Sequence, residues 1–197
     1  MHGRRNNPAR SMYMHLVLDL DETLISISLQ PIKKPDFQFM LQGQIYYGKK
    51  RPGLTLFLKF AFKRFQTVSV WTAATRGYAQ LVLKHIMTPK QIKALVFFKT
   101  RRDLASSVGP YYKPLVKMFT DPVAGKIGMS RENTVMIDDR ADVMRHNPGN
   151  GIIIPPWKGV PKDKYLPKLI IILDGVLTHN LGFGHYGRVL DLKLLVD

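Results

Sequence analysis

The fold is decided by the stretch His15-Leu16-Val17-Leu18-Asp19-Leu20-Asp21-Glu22-Thr23, at residues 15–23. Its apolar first part is typical of a buried β-strand, and two aspartates follow where the strand ends. Because the alternation of a strand no longer holds beyond its end, Asp19 and Asp21 can both turn into one site. Two adjacent carboxylates repel each other unless a cation or a proton lies between them. An oxygen-rich site of this kind favours Mg²⁺, so the sequence predicts a magnesium site at this loop.

Paired carboxylates also suit the hydrolysis of phosphate monoesters, which are among the slowest biological bonds to break unaided. One carboxylate can attack phosphorus, and water then hydrolyses the acyl phosphate, which divides one hard step into two easier ones. The other carboxylate can protonate the departing oxygen and later deprotonate that water. On this interpretation Asp19 is the nucleophile, and Asp21 is the acid and base.

Beyond this loop, short apolar runs alternate with helical patterns. Strands are predicted at residues 67–71, 96–98, 134–137 and 152–154, and helices at residues 54–65, 77–87 and 112–119. This alternation predicts βαβ units and a parallel sheet, that is, an α/β Rossmann-like domain. A loosely alternating segment at residues 37–47 predicts a small β-hairpin that projects as a flap. Ligands bind at the carboxyl ends of the strands in open sheets of this type.

Further polar groups lie close to the ends of these strands. Thr72 follows one predicted strand, and the carboxylate pair Asp138 and Asp139 ends another, while Lys113 adds a positive charge. Each has a simpler alternative. Thr72 could cap the helix that begins near Thr75, the two aspartates could form a turn or a cap, and Lys113 could be a solvated surface charge. Their placement after apolar runs favours a shared site.

This order of features resembles the haloacid dehalogenase (HAD) phosphatase superfamily. Within it, the chain looks like the FCP/SCP-like branch, which dephosphorylates the C-terminal repeat domain (CTD) of RNA polymerase II. The likeness rests on Asp-Leu-Asp-Glu-Thr-Leu at residues 19–24, a flap leading into Arg51-Pro52, Thr72-Ala73, and Asp-Asp-Arg at residues 138–140. The resemblance implies a HAD-type parallel sheet flanked by helices, with the hairpin flap and a minimal cap.

The resemblance also implies roles for the carboxylates. Asp19 attacks phosphorus, and Asp21 serves as acid and base. Mg²⁺ is bound by Asp19, by the backbone carbonyl of Asp21 and by Asp139. The expected reaction is therefore a magnesium-dependent, two-step hydrolysis through an aspartyl-phosphate intermediate.

Substrate binding is assigned by the same resemblance. Thr72 and Lys113 bind the phosphoryl oxygens, and Asp138 orients Lys113 from behind. The expected enzyme is a phosphoserine or phosphothreonine protein phosphatase, whose substrate is a phosphorylated protein or peptide. Two alternatives remain open, namely the same chemistry on nucleic-acid terminal phosphates, and a non-catalytic module that binds acidic chains.

Length and composition limit the domain organisation. A chain of 197 residues with 45% hydrophobic content is enough for one well-packed core. We expect a flexible basic leader at residues 1–13, a HAD-like phosphatase domain at residues 14–180, and a tail at residues 181–197 that packs on the domain or extends it. The chain contains no cysteine, which excludes disulfides and thiolate metal sites.

Charge and hydropathy limit the partners. The net charge of +16 favours polyanionic partners, and a nucleic-acid contact through the basic surface is one of them. Apolar runs are far shorter than the roughly 20 residues that a membrane span needs, so we expect no membrane insertion. The leader lacks a secretory signal. We therefore expect an intracellular protein, and the resemblance adds a nuclear location by analogy.

Overall fold

The computed structural model describes residues 14–105, 111–144 and 146–179, together with the backbone of residues 190–191. The strands are β1 (His15–Leu18), β2 (Ile25–Ser28), β3 (Phe37–Leu41), β4 (Gln44–Lys50), β5 (Thr67–Trp71), β6 (Leu95–Lys99), β7 (Thr134–Asp138), β8 (Gly151–Ile153) and β9 (Leu190–Asp191). The helices are α1 (Leu54–Arg64), α2 (Arg76–Ile86), α3 (Pro89–Lys93), α4 (Val116–Phe119), α5 (Pro122–Lys126), α6 (Ala141–Met144) and α7 (Tyr165–Thr178). The predicted leader lies outside the described residues, as does the predicted tail apart from the β9 backbone.

The main sheet is parallel, and its strand order is β6-β5-β1-β7-β8-β9. Strand β1 lies near the centre, where its four residues pair with residues 67–70 of β5 and with residues 134–137 of β7. Because these three strands run in one direction and in close register, the residues that follow them meet at one edge of the sheet. The predicted α/β architecture with a parallel, Rossmann-like sheet is confirmed.

The alternation of side chains along the central strands creates two apolar layers. Leu16 and Leu18 of β1 point into the larger core cluster, whereas Val17 points into the smaller one. Strand β7 repeats the pattern, with Met136 on the side of Val17. Since successive side chains of a strand point to opposite faces, both faces of this sheet are covered. Continuous apolar runs such as these are expected for a parallel sheet.

Helix α1 corresponds to the helix predicted at residues 54–65 from the spacing of its apolar residues. Its buried residues are Leu54, Phe57, Leu58 and Ala61, which lie three or four positions apart on one face. Gly53 precedes the helix with a φ of +83°, and a side chain at this position would come within 2.9 Å of Pro167 Cδ. Glycine therefore allows both the turn and the close approach of α7. Within the described residues, no helix is both long and apolar enough to cross a membrane.

The flap is a separate antiparallel sheet with the order β2-β4-β3. The predicted hairpin corresponds to β3 and β4, which are joined by Gln42 and Gly43 with φ values of 51° and 78°. Positive φ at both central residues is characteristic of a tight two-residue hairpin turn. Strand β2 was not predicted, although its Ile-Ser-Ile-Ser sequence alternates apolar and polar residues. The flap is consequently a three-stranded sheet.

The helix predicted at residues 112–119 is wrong in its first half. Helix α4 covers only Val116–Phe119, whereas Tyr112 forms an antiparallel bridge with Ala105. Pro114 accounts for the difference, because a proline disfavours the helical conformation of the residue before it. The elements β2, β9, α3, α5, α6 and α7 were not predicted.

A buried arginine joins the flap to the main domain. Arg51 follows β4 and is 1% exposed. Its guanidinium donates to the carbonyls of Glu22, Thr23 and Pro155 and forms a bidentate pair with Asp163, at 3.0 and 2.9 Å. A buried cation is tolerated only when its donors are satisfied. Arg51 therefore fixes the loop after β1 against the segment that leads into α7.

We predict that Arg51→Ala lowers the free energy of unfolding by about 3–5 kcal/mol, because the change leaves the Asp163 carboxylate without its cationic partner in a largely buried position. Chemical denaturation measures this directly. The matched control is Arg64→Ala, since Arg64 pairs with Asp174 at side-chain exposures of 38% and 51%. That change should cost less than about 1 kcal/mol. Equal losses in the two variants would contradict the role of Arg51.

Candidate active site

The loop after β1 is held in one conformation by backbone contacts. The amide of Asp19 donates to the carbonyl of Ile137 at 3.0 Å, which continues the pairing of β1 with β7. The amides of Leu24 and Ile25 then donate back to the carbonyl of Leu20 at 2.8 and 3.1 Å. The resulting tight turn presents the Asp19 carboxylate, which is only 5% exposed, at the carboxyl edge of the sheet.

Lys113 lies between two of the predicted aspartates. Its Nζ donates to Asp19 Oδ1 at 2.5 Å and to Asp138 Oδ2 at 2.7 Å. The lysine is 2% exposed and Asp138 is 1% exposed, so all three charges are removed from water. This geometry places the amine where it can orient the Asp19 carboxylate, and it excludes a solvated surface position for Lys113.

Burial changes the proton affinity of these groups. Desolvation raises the pKa of Asp19 to about 8, while Lys113 opposes that rise. Desolvation on its own would lower the pKa of Lys113, but Asp19 and Asp138 outweigh it and raise that pKa. The amine is therefore a permanent positive charge in the site. Any further cation next to Asp19 would favour the ionised carboxylate.

The segment that carries Lys113 is fixed by a buried asparagine. Asn147 Nδ2 donates to the carbonyl of Lys113 at 2.8 Å, and Asn147 Oδ1 accepts from the amide of Leu115 at 2.8 Å. The bridge between Ala105 and Tyr112 supports the same segment from the other side. Asn147 was not singled out in the sequence, because no local pattern relates it to a lysine 34 positions earlier.

The two aspartates at the end of β7 have different surroundings. Both oxygens of Asp138 are occupied, since Oδ2 accepts from Lys113 and Oδ1 accepts from the amide of Arg140 at 2.9 Å. Asp139 accepts a hydrogen bond from Thr23 at 3.1 Å and lines the cavity. Burial, followed by the negative charge of Asp138, raises the pKa of Asp139 to about 6. Asp139 is consequently the more available of the two carboxylates.

A group of three aspartates could hold a metal ion. One carboxylate oxygen from each of Asp19, Asp138 and Asp139 lies within 4.8 Å of the others. A donor set made only of oxygen fits a hard cation such as Mg²⁺ or Ca²⁺. Among the described residues, the Asp21 carboxylate is not part of this group. The expected binding of the metal by the Asp21 backbone carbonyl stays a prediction.

Thr72 follows β5 and is 1% exposed. Its hydroxyl accepts from the amide of Ala74 at 3.1 Å, and this contact leaves the hydroxyl proton available for a ligand. This contact differs from the alternative considered above, in which Thr72 caps the next helix. Helix α2 has its N-cap at Thr75, and the amide that Thr72 accepts from lies before it.

Asp21 has a partner that the sequence did not reveal. Tyr78 Oη donates to Asp21 Oδ1 from the first turn of α2. Desolvation raises the pKa of Asp21, and the hydrogen bond from Tyr78 opposes that rise. Tyr78 lies within the helix predicted at residues 77–87, and the sequence pattern gives it no further role. Its position in the first helical turn after Thr72, near the expected site, is the one sequence feature that could have indicated a role for Tyr78.

These groups surround a single cavity of about 310 Å³. Its lining includes Asp19, Asp21, Thr72, Lys113 and Asp139. Of the predicted site residues, only Asp138 lies behind the wall, where it contacts Lys113. Residues from separate strand ends and loops thus share one concave site, in which Asp19, Asp21, Thr72, Lys113 and Asp139 line the same cavity.

Comparison with known proteins supports the same interpretation. The family model described as NLI interacting factor-like phosphatase matches residues 14–181. A Dictyostelium discoideum protein named "Probable C-terminal domain small phosphatase" is 30% identical over 186 residues, which cover 92% of this chain and 53% of that protein. The CTD nuclear envelope phosphatase 1 of Xenopus laevis is 27% identical, over 87% of this chain and 70% of that protein.

A solved structure shares the fold. The structure of Fcp1, an essential RNA polymerase II CTD phosphatase, superimposes with a TM-score of 0.59 at 23% identity, over 86% of this chain and 53% of that one. The chain spans about half the length of the Dictyostelium relative, so the comparison concerns the shared domain. Since the family model matches most of the chain, the predicted resemblance is confirmed, and this protein belongs to the NLI interacting factor-like phosphatase family within the CTD-phosphatase-like HAD proteins.

Proposed function

We propose that the protein is a magnesium-dependent phosphatase that removes phosphate from phosphoserine or phosphothreonine in a protein. The observation that carries this proposal is the buried Asp19 carboxylate, which contacts Lys113 in a cavity also lined by Thr72 and Asp139. Such a cavity combines a nucleophile with preorganised groups for phosphoryl oxygens, and phosphoryl transfer depends mainly on positioning and charge stabilisation.

In the first step, a carboxylate oxygen of Asp19 forms a bond to phosphorus while the bond from phosphorus to the serine or threonine oxygen breaks. Asp21 gives its proton to that departing oxygen. Lys113 and the Thr72 hydroxyl donate to the phosphoryl oxygens, where negative charge is concentrated. The product of this step is an aspartyl-phosphate on Asp19 and a free hydroxyl on the substrate.

In the second step, Asp21 takes a proton from a water molecule that attacks the phosphorus of the aspartyl-phosphate. The bond between phosphorus and Asp19 breaks, which returns the carboxylate and releases inorganic phosphate. Tyr78 donates to one oxygen of the Asp21 carboxylate and so orients this side chain, which lines the cavity. Asp138 keeps Lys113 in place through both steps.

Asp19, Asp139 and the backbone carbonyl of Asp21 would hold Mg²⁺, which when bound neutralises charge between the carboxylates and the phosphoryl group. The carboxylates fit this ion, because they supply only oxygen ligands and no nitrogen or sulfur. Asp138 is less suited to direct coordination, since both of its oxygens already accept hydrogen bonds.

A protein substrate is supported by the family and by the relatives. The names of the Dictyostelium and Xenopus relatives refer to CTD phosphatases, and the latter name also refers to the nuclear envelope. By this analogy we propose an intracellular protein with a nuclear location. The cavity mouth carries Tyr111 and Leu104, whose apolar surfaces can contact a peptide next to its phosphorylated residue.

The central test is the release of phosphate from p-nitrophenyl phosphate and from phosphoserine peptides, with and without Mg²⁺. We predict that Asp19→Asn abolishes release in both assays while leaving the fold intact, because the amide is nearly isosteric but is a poor nucleophile. Asp174→Asn, a change at a half-exposed position of α7, is the control and should keep wild-type rates. Turnover by Asp19→Asn would remove Asp19 from the role of nucleophile.

We predict that Asp139→Asn raises the Mg²⁺ concentration needed for half-maximal activity by about tenfold or more, because a charged ligand is replaced by a neutral one. A titration of activity against Mg²⁺ measures the shift. The amide oxygen can still accept from Thr23, so the local fold should be unchanged. An unaltered Mg²⁺ requirement would place the metal elsewhere.

We predict that Tyr78→Phe lowers kcat by about tenfold or more and changes KM little. The substitution removes the hydrogen bond through which Tyr78 orients the Asp21 side chain. Steady-state kinetics on p-nitrophenyl phosphate separates the two constants. Tyr46→Phe is the matched control, since Tyr46 packs edge-on against Tyr78 at 5.6 Å within the same aromatic cluster. A similar loss in both variants would show that Tyr78 acts only through packing.

A further inference from the structure

A second cavity lies beside the catalytic one, on the side of the flap. Its volume is about 520 Å³, and its basic lining comes from Lys33, Lys49 and Lys158. The remaining walls include Ser26 and Ser28. We propose that this cavity, here called the lysine groove, binds a second anionic side chain of the substrate, either phosphorylated or acidic. This inference rests on the proposed phosphatase function and specifies the substrate class as an acidic or multiply phosphorylated protein segment.

The lysine groove adjoins the catalytic cavity. Glu22 lines both of them and belongs to the loop that carries Asp19. Its backbone is fixed, because the Glu22 carbonyl accepts from Arg51 at 3.2 Å and from the amide of Trp157 at 2.7 Å. A chain that enters the catalytic cavity can thus pass over a fixed rim into the groove.

The three lysines are available to a ligand. Lys33 and Lys158 are exposed, and none of the three has a carboxylate within ion-pair distance in the described part of the chain. Lys49 lies opposite Ser26 in the pairing of β2 with β4. A Cβ atom added to Gly159, whose φ is +88°, would lie 3.9 Å from Lys49 Cδ and 3.9 Å from Ser26 Oγ, so the loop at Gly159 passes close to both side chains. Charges gathered in a concave site attract anions more strongly than scattered ones do.

The position of Glu22 favours a peptide over a nucleic acid. A carboxylate on the rim between the two cavities repels a continuous polyanion, but it tolerates a chain with uncharged residues between two anionic groups. Since consecutive Cα atoms lie about 3.8 Å apart, the Cα atoms of Asp19 and Glu22 are separated by at most about 11 Å. An extended peptide covers this distance in about three residues, so an anionic group that reaches past Glu22 into the groove would lie about three to five residues from the phosphorylated one.

The test compares phosphoserine peptides that carry two glutamates, three to five residues before or after the phosphoserine, with peptides that carry glutamine there. For wild-type protein, kcat/KM should be about tenfold higher for one of the glutamate peptides, as expected for two or three exposed charge pairs. In the triple variant K33Q/K49Q/K158Q this ratio should fall to about one, while activity on p-nitrophenyl phosphate stays unchanged. The control variant K63Q/K90Q/K93Q removes the same charge from the helices that precede β5 and β6, and it should keep the ratio.

Binding is measured separately by fluorescence anisotropy, with the same peptides carrying a non-hydrolysable phosphonate. If the glutamate peptide binds more tightly and only K33Q/K49Q/K158Q loses this preference, the result supports the lysine groove. If the same protein shows no turnover, only the proposed catalytic function is wrong. If the ratio of kcat/KM between glutamate and glutamine peptides is the same in wild type and in both variants, the proposed role of the lysine groove is wrong. A loss of single-stranded oligonucleotide binding in K33Q/K49Q/K158Q, with peptide binding unchanged, would also overturn it and assign the surface to nucleic acid.

Discussion

Lys113 is a buried cation between two buried carboxylates, and the rest of the site depends on this contact. A charge in the interior is stable only when its partners are in place, because desolvation is costly and an unpaired buried charge costs several kcal/mol. The partners, Asp19 and Asp138, lie 94 and 25 residues away in the sequence. The sheet, the loop after β1 and the segment fixed by Asn147 must therefore all be folded before this contact exists. Folding and assembly of the active site are the same event.

The parallel register explains why so few residues are needed to build the site. Strands β5, β1 and β7 are neighbours, and Thr72, Asp19 and Asp138 are the residues at or just beyond their carboxyl ends. Arg51 adds the remaining constraint, because it joins the carbonyls of Glu22 and Thr23, in the loop after β1, to the carbonyl of Pro155. The flap is thereby fixed to the rim of the cavity through the residue at its own end.

Local sequence patterns were sufficient to predict the strands that position the site. The strands before Asp19, Thr72 and Asp138 are short apolar runs, and the polar residue after each one marks the site. The contacts of Tyr78 with Asp21, and of Asn147 with Lys113, join residues 57 and 34 positions apart. No periodicity signals such contacts, because they arise only when separate elements pack together. The Ile-Ser-Ile-Ser strand β2 does carry a local signal, but over four residues it is too short to stand out.

Charge inside the site and charge around it have to be considered together. The carboxyl groups of Asp19, Asp21, Glu22 and Asp139 line the cavity and outnumber its two basic groups, Lys113 and Arg140, so the lining carries more acidic than basic groups toward a phosphate that is itself negative. Under the proposed function, a divalent cation within the cavity and positive potential at its mouth would offset this charge when phosphate binds. The net charge of +16 supplies such potential over the whole surface but selects no particular partner. Selection requires fixed geometry, and Glu22, which lines both the active-site cavity and the lysine groove, belongs to the loop that carries Asp19.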